Sequence, residues 1–370
     1  MTLEERLLEQ AHQLGFDLAG IAAAQPSDQY VLYRAWLEAG YAGELAYLYK
    51  HAEARRDLSQ LYAPAQAVVM VALNYNPGPE APSGGLARYA RTADYHLVLR
   101  ERLKKLGGWL REQVPEAWGR VCVDTAPLLE RDFARRAGLG WQAKNTMLIH
   151  PRLGSWFVLG ALLVNLPLQP SAPFTKMHCG TCTRCLDACP TGAFVAPQVL
   201  DARRCISTWT IELRRPLHNH EATQLHGWLF GCDICQEVCP WNRKAPRAEL
   251  LVPRQDLVGL DPAELLLLDE AAFRARFEGT ALYPRPGRPV VLRNAALLLG
   301  QAGDPAALTV LRRAAAEDEA LIAEAARWAI ARIEAKTSPQ ESIAIPLLSG
   351  NQSAESSQEP SCNAEPTSTP

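Results

Sequence analysis

No apolar run in this sequence reaches the roughly 20 residues that a bilayer-spanning helix needs, so the expectation is a soluble protein with no membrane partner. Also missing are G-x-G-x-x-G, the phosphate-binding G-x-x-x-x-G-K-[ST] and G-x-S-x-G. Nicotinamide and nucleotide-triphosphate chemistry therefore have no support. Neither sign of charge is in excess. The chain carries 38 Lys and Arg against 40 Asp and Glu, and from Thr337 onward it has four Glu but no basic residue, which leaves 38 basic against 36 acidic before that point. This balance alone does not call for nucleic acid. Local basic clusters exist at Arg203 with Arg204, at Arg214 with Arg215, and at Arg243, Lys244 and Arg247, each of which taken singly reads as a solvated face. The start, Met1-Thr-Leu-Glu-Glu-Arg, opens a charged amphipathic helix and not a signal or twin-arginine segment, and reduced thiols holding iron would imply the cytoplasm.

Cysteine is where the sequence is rich. Eight of the ten fall in one window that runs Cys179-Gly-Thr-Cys182-Thr-Arg-Cys185-Leu-Asp-Ala-Cys189-Pro190, passes Cys205, and ends Cys232-Asp-Ile-Cys235-Gln-Glu-Val-Cys239-Pro240. Three cysteines two residues apart can curl round one iron–sulfur cubane, while a fourth, three residues on and followed by Pro, leaves along a helix and reaches the other cubane. The spacing thus predicts Cys179, Cys182, Cys185 and Cys239 on one [4Fe-4S] cluster, and Cys189, Cys232 and Cys235 on a second. The second repeat is one cysteine short, and Cys205 is the candidate in the window to complete it. Two zinc sites would also use eight thiolates, but overlapping C-x-x-C steps that run into Cys-Pro are not the zinc pattern. A disulfide scaffold fits a short secreted chain, unlike this one.

Around that window the apolar periodicity sets out the elements. Helices are predicted over residues 3–15, 29–39, 94–113 and up to Ala137, and strands over 16–23, 66–74, 120–124, 147–150 and 155–164. Cys122 on the third strand reads as a buried hydrophobe. Asp124 ends that strand, where an α/β sheet can present a reacting group, or where an acid can simply cap the next helix. Residues 50–57 and 88–96 suit loops that grip a ligand, with Asp94 as an alternative helix cap. Gly138-Leu-Gly140 with Lys144, Asn145 and Thr146 could donate hydrogen bonds to a cofactor, although G-x-G alone is weak. After Pro253 the chain turns helical, and from Arg288 the helix, Gly-Asp-Pro turn and further helices read as a short α-solenoid that must dock on what precedes it. The layout expected is an α/β domain over 1–168, a ferredoxin-like two-cluster module over 169–250, HEAT-like repeats over 251–336 and a disordered tail over 337–370 containing Cys362; the class is α+β or α/β.

Five stretches together resemble the epoxyqueuosine reductases: Val123-Asp124-Thr-Ala-Pro-Leu-Leu-Glu130-Arg131, Ala137-Gly-Leu-Gly-Trp141 with Lys144-Asn145, the Cys179–Pro190 motif, Asp201-Ala-Arg-Arg-Cys205-Ile-Ser, and Gly231 to Asn242. The likeness covers residues 1 to about 335. It implies a cobalamin-dependent enzyme, resting as cob(II)alamin, that removes the epoxide oxygen of epoxyqueuosine at the wobble position of tRNA, the last step of queuosine formation. It further implies two clusters that pass single electrons to cobalt and helical repeats that help hold the anticodon stem-loop. An external electron donor and a monomer are also expected. The family's eight cluster cysteines fall on those named above, Cys205 included. The proton donor falls on Asp124, for which a carboxylic acid of raised pKa in a dry pocket would be suited. Corrinoid contacts are expected at Arg56, Tyr95, Asp124, Lys144, Asn145, Ser155 and Asp233. Two departures stand out: Asp94-Tyr-His96 is not followed by the Gly of a D-x-H-x-x-G motif, so no protein His is placed on cobalt, and Ala143 stands where many relatives have Gly. The rival readings are a reductive dehalogenase, which shares the cofactor plan but usually carries an export signal, and a ferredoxin-type electron carrier.

Overall fold

The computed structural model describes residues 1–78 and 85–337. The tail expected to be disordered, beyond Thr337 and including Cys362, lies outside the described residues.

A four-stranded sheet forms the N-terminal layer: β1 (Leu18–Ala23), β2 (Ala67–Asn74), β3 (Gly119–Cys122) and β4 (Phe157–Val164), in the order β1-β2-β4-β3. Every pairing is antiparallel, with Leu18 opposite Ala72, Val69 opposite Leu162 and Cys122 opposite Ala161. The fold is therefore α+β. The parallel sheet that would put a ligand crevice at its strand ends is not what carries Asp124, which instead follows the edge strand β3.

β2 reads as an unbroken apolar run because both of its faces are covered. Val69, Val71 and Leu73 pack with Leu99, Leu103 and Leu106 of the helix Tyr95–Gln113 and with Leu7 and Ala11 of the helix Leu3–Gln13, whereas Val68, Met70 and Ala72 pack with Phe133 and Ala134 of the helix Glu130–Arg136. Asp94 does cap the long helix, its carboxylate accepting from the His96 N–H at 2.9 Å. This places His96 in that helix's first turn, facing the end of β3.

The second core is shared. Ile206, Trp209, Trp228 and Phe230 of the cysteine-rich segment pack in one cluster with Val291, Leu292, Ala295, Ile322 and Ala326 of the C-terminal helices Arg288–Ala302 and Ala320–Thr337. The buried Arg293 guanidinium donates to the carbonyls of Leu213, Arg215 and Trp209 at 2.6–2.9 Å. Such a cation is held because each donor is matched to an acceptor. Deleting the helices would thus strip the core of the cysteine segment itself.

Candidate functional site

Cys179, Cys182, Cys185 and Cys239 line one cavity of about 130 Å3, closed by Ile149, His178 and Trp241. Lys144 pins the loop between them, donating to the carbonyls of Gly180 at 2.7 Å and Cys182 at 3.0 Å. Burial raises the Cys185 thiol, and Cys239, Cys179 and Cys182 raise it further. The remaining four form a second group. Burial pushes up Cys205, Cys232 and Cys235; Cys205 and Cys189 add to it at Cys232, and Cys232 and Cys205 at Cys235. Cys185 also acts on Cys235, so the two groups are neighbours.

These thiols fit iron–sulfur clusters. All nine described cysteines are free. Among the described residues no three His, Cys, Asp or Glu side chains gather where a single ion could be shared, and a cubane needs no such convergence because each thiolate takes its own iron. Thiols that push one another toward the neutral form can all ionise only with positive charge between them, which iron supplies. Donors to sulfur are also in place, with the Ala193 N–H on the Cys189 Sγ at 3.3 Å and the amides of Ile234 and Trp241 directed at Cys232 and Cys239.

A line of interacting side chains runs from Cys235 through Arg131 and Glu130 to Asp124 and His96 at the end of β3. Burial lowers the Arg131 pKa, while Glu130 and Cys235 act on it in the opposite sense. Asp124 is half exposed and held with φ +58°. His96 bridges two acids: Nδ1 meets the Asp94 Oδ1 at 2.7 Å and Nε2 meets the Asp124 Oδ2 at 3.3 Å. Burial alone would lower the imidazole pKa, but hydrogen bonds to Asp124 and Asp94 outweigh it and push it up to about 9. The same bond to His96 holds the Asp124 carboxyl below its usual value, with Arg285 and Arg100 contributing. The expectation of a raised Asp124 is thereby corrected. The raised carboxyl is Glu130, pushed up to about 7 by burial and by the charge of Asp124. Its Oε1 accepts the Asp124 backbone N–H at 3.0 Å.

Of the expected corrinoid contacts, Asp124 and Tyr95 stand together with His96; the Tyr95 ring stacks on His96 with centroids 4.0 Å apart, and its hydroxyl pKa is raised by burial and by Asp124. Arg56 is exposed at the end of the helix Ala52–Arg56. The other four have their polar groups engaged inside the protein. Lys144 serves the cluster loop, Asn145 donates to the Cys235 carbonyl at 3.2 Å, the buried Ser155 bonds to Asn242 and Gln236, and the buried Asp233 accepts from the Arg88 N–H at 2.7 Å. They brace the cysteine segment against the sheet domain. Sequence reasoning gave His96 and Glu130 no role. The available signals were Asp94 two residues before His96, and Glu130 one helical start after Asp124. Of the basic clusters, Arg203 is held by Asp201 at 2.8 Å and Arg215 by Glu221 at 2.7 Å, while Arg204, Arg243 and Lys244 are exposed.

The His96 pair carries a pH prediction. A histidine whose folded pKa lies above its unfolded value of 6.5 stabilises fully below that pH, and its contribution is lost as pH rises through about 9. The difference is worth up to about 3 kcal/mol. Melting temperature measured from pH 6 to pH 10 should therefore fall more steeply in the native chain than in His96→Gln, and parallel curves would show that the pair is not formed in solution.

The chain is similar to known proteins. A family model described as "Epoxyqueuosine reductase QueG, DUF1730" matches residues 55–125, and one described as "4Fe-4S double cluster binding domain" matches residues 178–242. An epoxyqueuosine reductase of Gloeobacter violaceus is 41% identical over 311 residues, covering 81% of this chain and 96% of that one. A solved epoxyqueuosine reductase with a tRNA-Tyr epoxyqueuosine-modified stem loop superposes with a TM-score of 0.81 at 34% identity, over 90% of each chain. So does the Bacillus subtilis epoxyqueuosine reductase, at 0.78 and 33% over 90% of each chain, in a structure whose catalytic Asp loop is swung out of the active site. No helix among the described residues is long and apolar enough to cross a membrane. On this sequence and structural likeness, the chain belongs to the epoxyqueuosine reductase family.

Proposed function

We propose that the protein reduces epoxyqueuosine to queuosine at the wobble position of tRNA, with Asp124 delivering the proton that the departing epoxide oxygen requires. The observation that carries this is the line of groups from a cluster ligand, Cys235, through Arg131 and Glu130 to the Asp124–His96 pair. We assign cobalamin to this face, where Tyr95, Asp124 and Arg56 would hold it. Bound there, cobalamin supplies a low-potential metal centre for reductive opening of the epoxide, fed with single electrons by the two clusters. The protein's own part is proton handling. At neutral pH the proton rests on His96, whose raised pKa keeps it loaded, and is donated to the ionised Asp124 at 3.3 Å; Asp124 relays it to the substrate oxygen as charge develops there.

Substrate would enter past Tyr47, which is 45% exposed, and past Arg285, itself fixed by Glu212 at 2.7 Å. Both act electrostatically on one another and on Asp124. We read residues 1–168 as the catalytic domain, 169–250 as the cluster module and 251–336 as a HEAT-like unit that steadies the anticodon stem-loop, in a cytoplasmic monomer served by an external electron donor. The test is anaerobic reconstitution with iron, sulfide and cobalamin, followed by nucleoside analysis of epoxyqueuosine-containing tRNA incubated with reductant. Queuosine should accumulate only when both iron and cobalamin are supplied. Cluster-loaded protein that takes up no corrinoid would favour a ferredoxin-type carrier instead.

A further inference from the structure

The geometry points to Glu130 as the residue that positions the Asp124 loop, by tethering the Asp124 backbone amide so that the carboxyl stays aimed at His96. This rests on the reading of Asp124 as proton donor. The loop between β3 and the helix Glu130–Arg136 is lightly held: Thr125 N–H and hydroxyl donate to the Val123 carbonyl at 2.6 and 3.4 Å, Leu128 N–H to the Ala126 carbonyl at 2.8 Å, and Arg100 to the Thr125 hydroxyl at 3.4 Å. Asp124 lies in the left-handed region, which is costly for a residue with a Cβ. Its amide is turned away from the sheet and meets the Glu130 Oε1 at 3.0 Å.

A first-turn acid ordinarily serves the helix dipole from solvent. Glu130 does otherwise. It reaches back across the loop and is kept beside a second carboxyl, against their mutual repulsion. Its titratable and charged surroundings are His96 and the neutral Tyr95 from the long helix, Asp124 and the neutral Cys122 from β3 and its loop, and Arg131 from its own helix. With two cations among these, the fold can hold a carboxylate here. The acceptor fixes the backbone, and the backbone in turn fixes the direction of the Asp124 side chain toward His96. Without it the loop keeps only its short internal bonds and the Arg100 contact to Thr125.

Hydrogen exchange of residues 123–129 and steady-state turnover, both on reconstituted protein, test this. In Glu130→Ala the Asp124 amide should exchange about tenfold faster, and kcat should fall about ten- to a hundredfold, while KM for tRNA stays within about twofold, as expected for loss of one charge-assisted bond. Glu130→Asp keeps the charge and the helix start but cannot reach, and should behave like the alanine variant. In Glu130→Gln the amide oxygen still accepts, so both readouts should recover to within about fivefold of the native chain. Native exchange in Glu130→Asp would overturn the tether. Faster exchange with unchanged kcat would leave the tether standing and remove Asp124 from the chemistry.

Discussion

Asp124→Asn is expected to retain both clusters and the corrinoid and to lose epoxyqueuosine turnover by about a thousandfold, within the range that removal of a general acid produces. The substitution is chosen to isolate the proton. Asn tolerates the left-handed backbone at φ +58° at least as well as Asp does, so the loop is not strained. Its carbonyl can still accept from the His96 Nε2, so the ring keeps its place. What disappears is the ionisable oxygen between His96 and the substrate. His96 would also lose one of the two acids that raise it, and its titration should move down from about 9. Three measurements check this: iron content, corrinoid absorbance and queuosine formed per enzyme. Full occupancy with native turnover would pass the donor's role to His96, Glu130 or Tyr95, the neighbouring groups of raised pKa.

Much of this was legible in the sequence, for reasons that differ by element. The cysteine spacing is a local code, because loop geometry decides which thiolates can reach one cubane, and the cavity does gather Cys179, Cys182 and Cys185 with the distant Cys239. The run from Ala67 to Asn74 announced a strand buried on both faces. Sheet direction was not readable, since an apolar strand looks the same in parallel and antiparallel company. Nor was the sense of the Asp124 shift. It depends on a histidine 28 positions earlier whose ring is set by a helix cap, and no spacing rule connects Asp94, His96 and Asp124. Lys144, Asn145, Ser155 and Asp233 had the right chemistry to hold a cofactor. Only the three-dimensional arrangement shows that carbonyls, amides and hydroxyls of the protein already engage them.

The crossed ligation predicts that single cysteine variants sort into two spectroscopic classes unrelated to their order along the chain. Cys179→Ala and Cys239→Ala, 60 residues apart, should each lose the same cluster, whereas Cys189→Ala, Cys205→Ala and Cys235→Ala should each lose the other. Iron per protein should fall by about half in every case, since a cubane short of one thiolate and buried beside apolar walls has no alternative ligand. The surviving cluster should give one electron paramagnetic resonance spectrum within each class and a different one between classes. Turnover should vanish in both, but for different reasons. On the proposed reading, loss of the Cys235 group removes the cluster beside Arg131 and the Asp124 group, so electrons cannot reach the cofactor; loss of the Cys239 group cuts the supply behind it. Electron entry then distinguishes the two: the reduction needs two electrons, so chemically prereduced protein lacking the Cys239 cluster should complete at most one turnover, with one electron from the remaining cluster and one held by the reduced corrinoid, while protein lacking the Cys235 cluster has no cluster electron to deliver and should complete none. Uncrossed ligation would put Cys239→Ala in the class of its sequence neighbour Cys235→Ala. That outcome would contradict the single cavity that holds Cys239 with the first three cysteines.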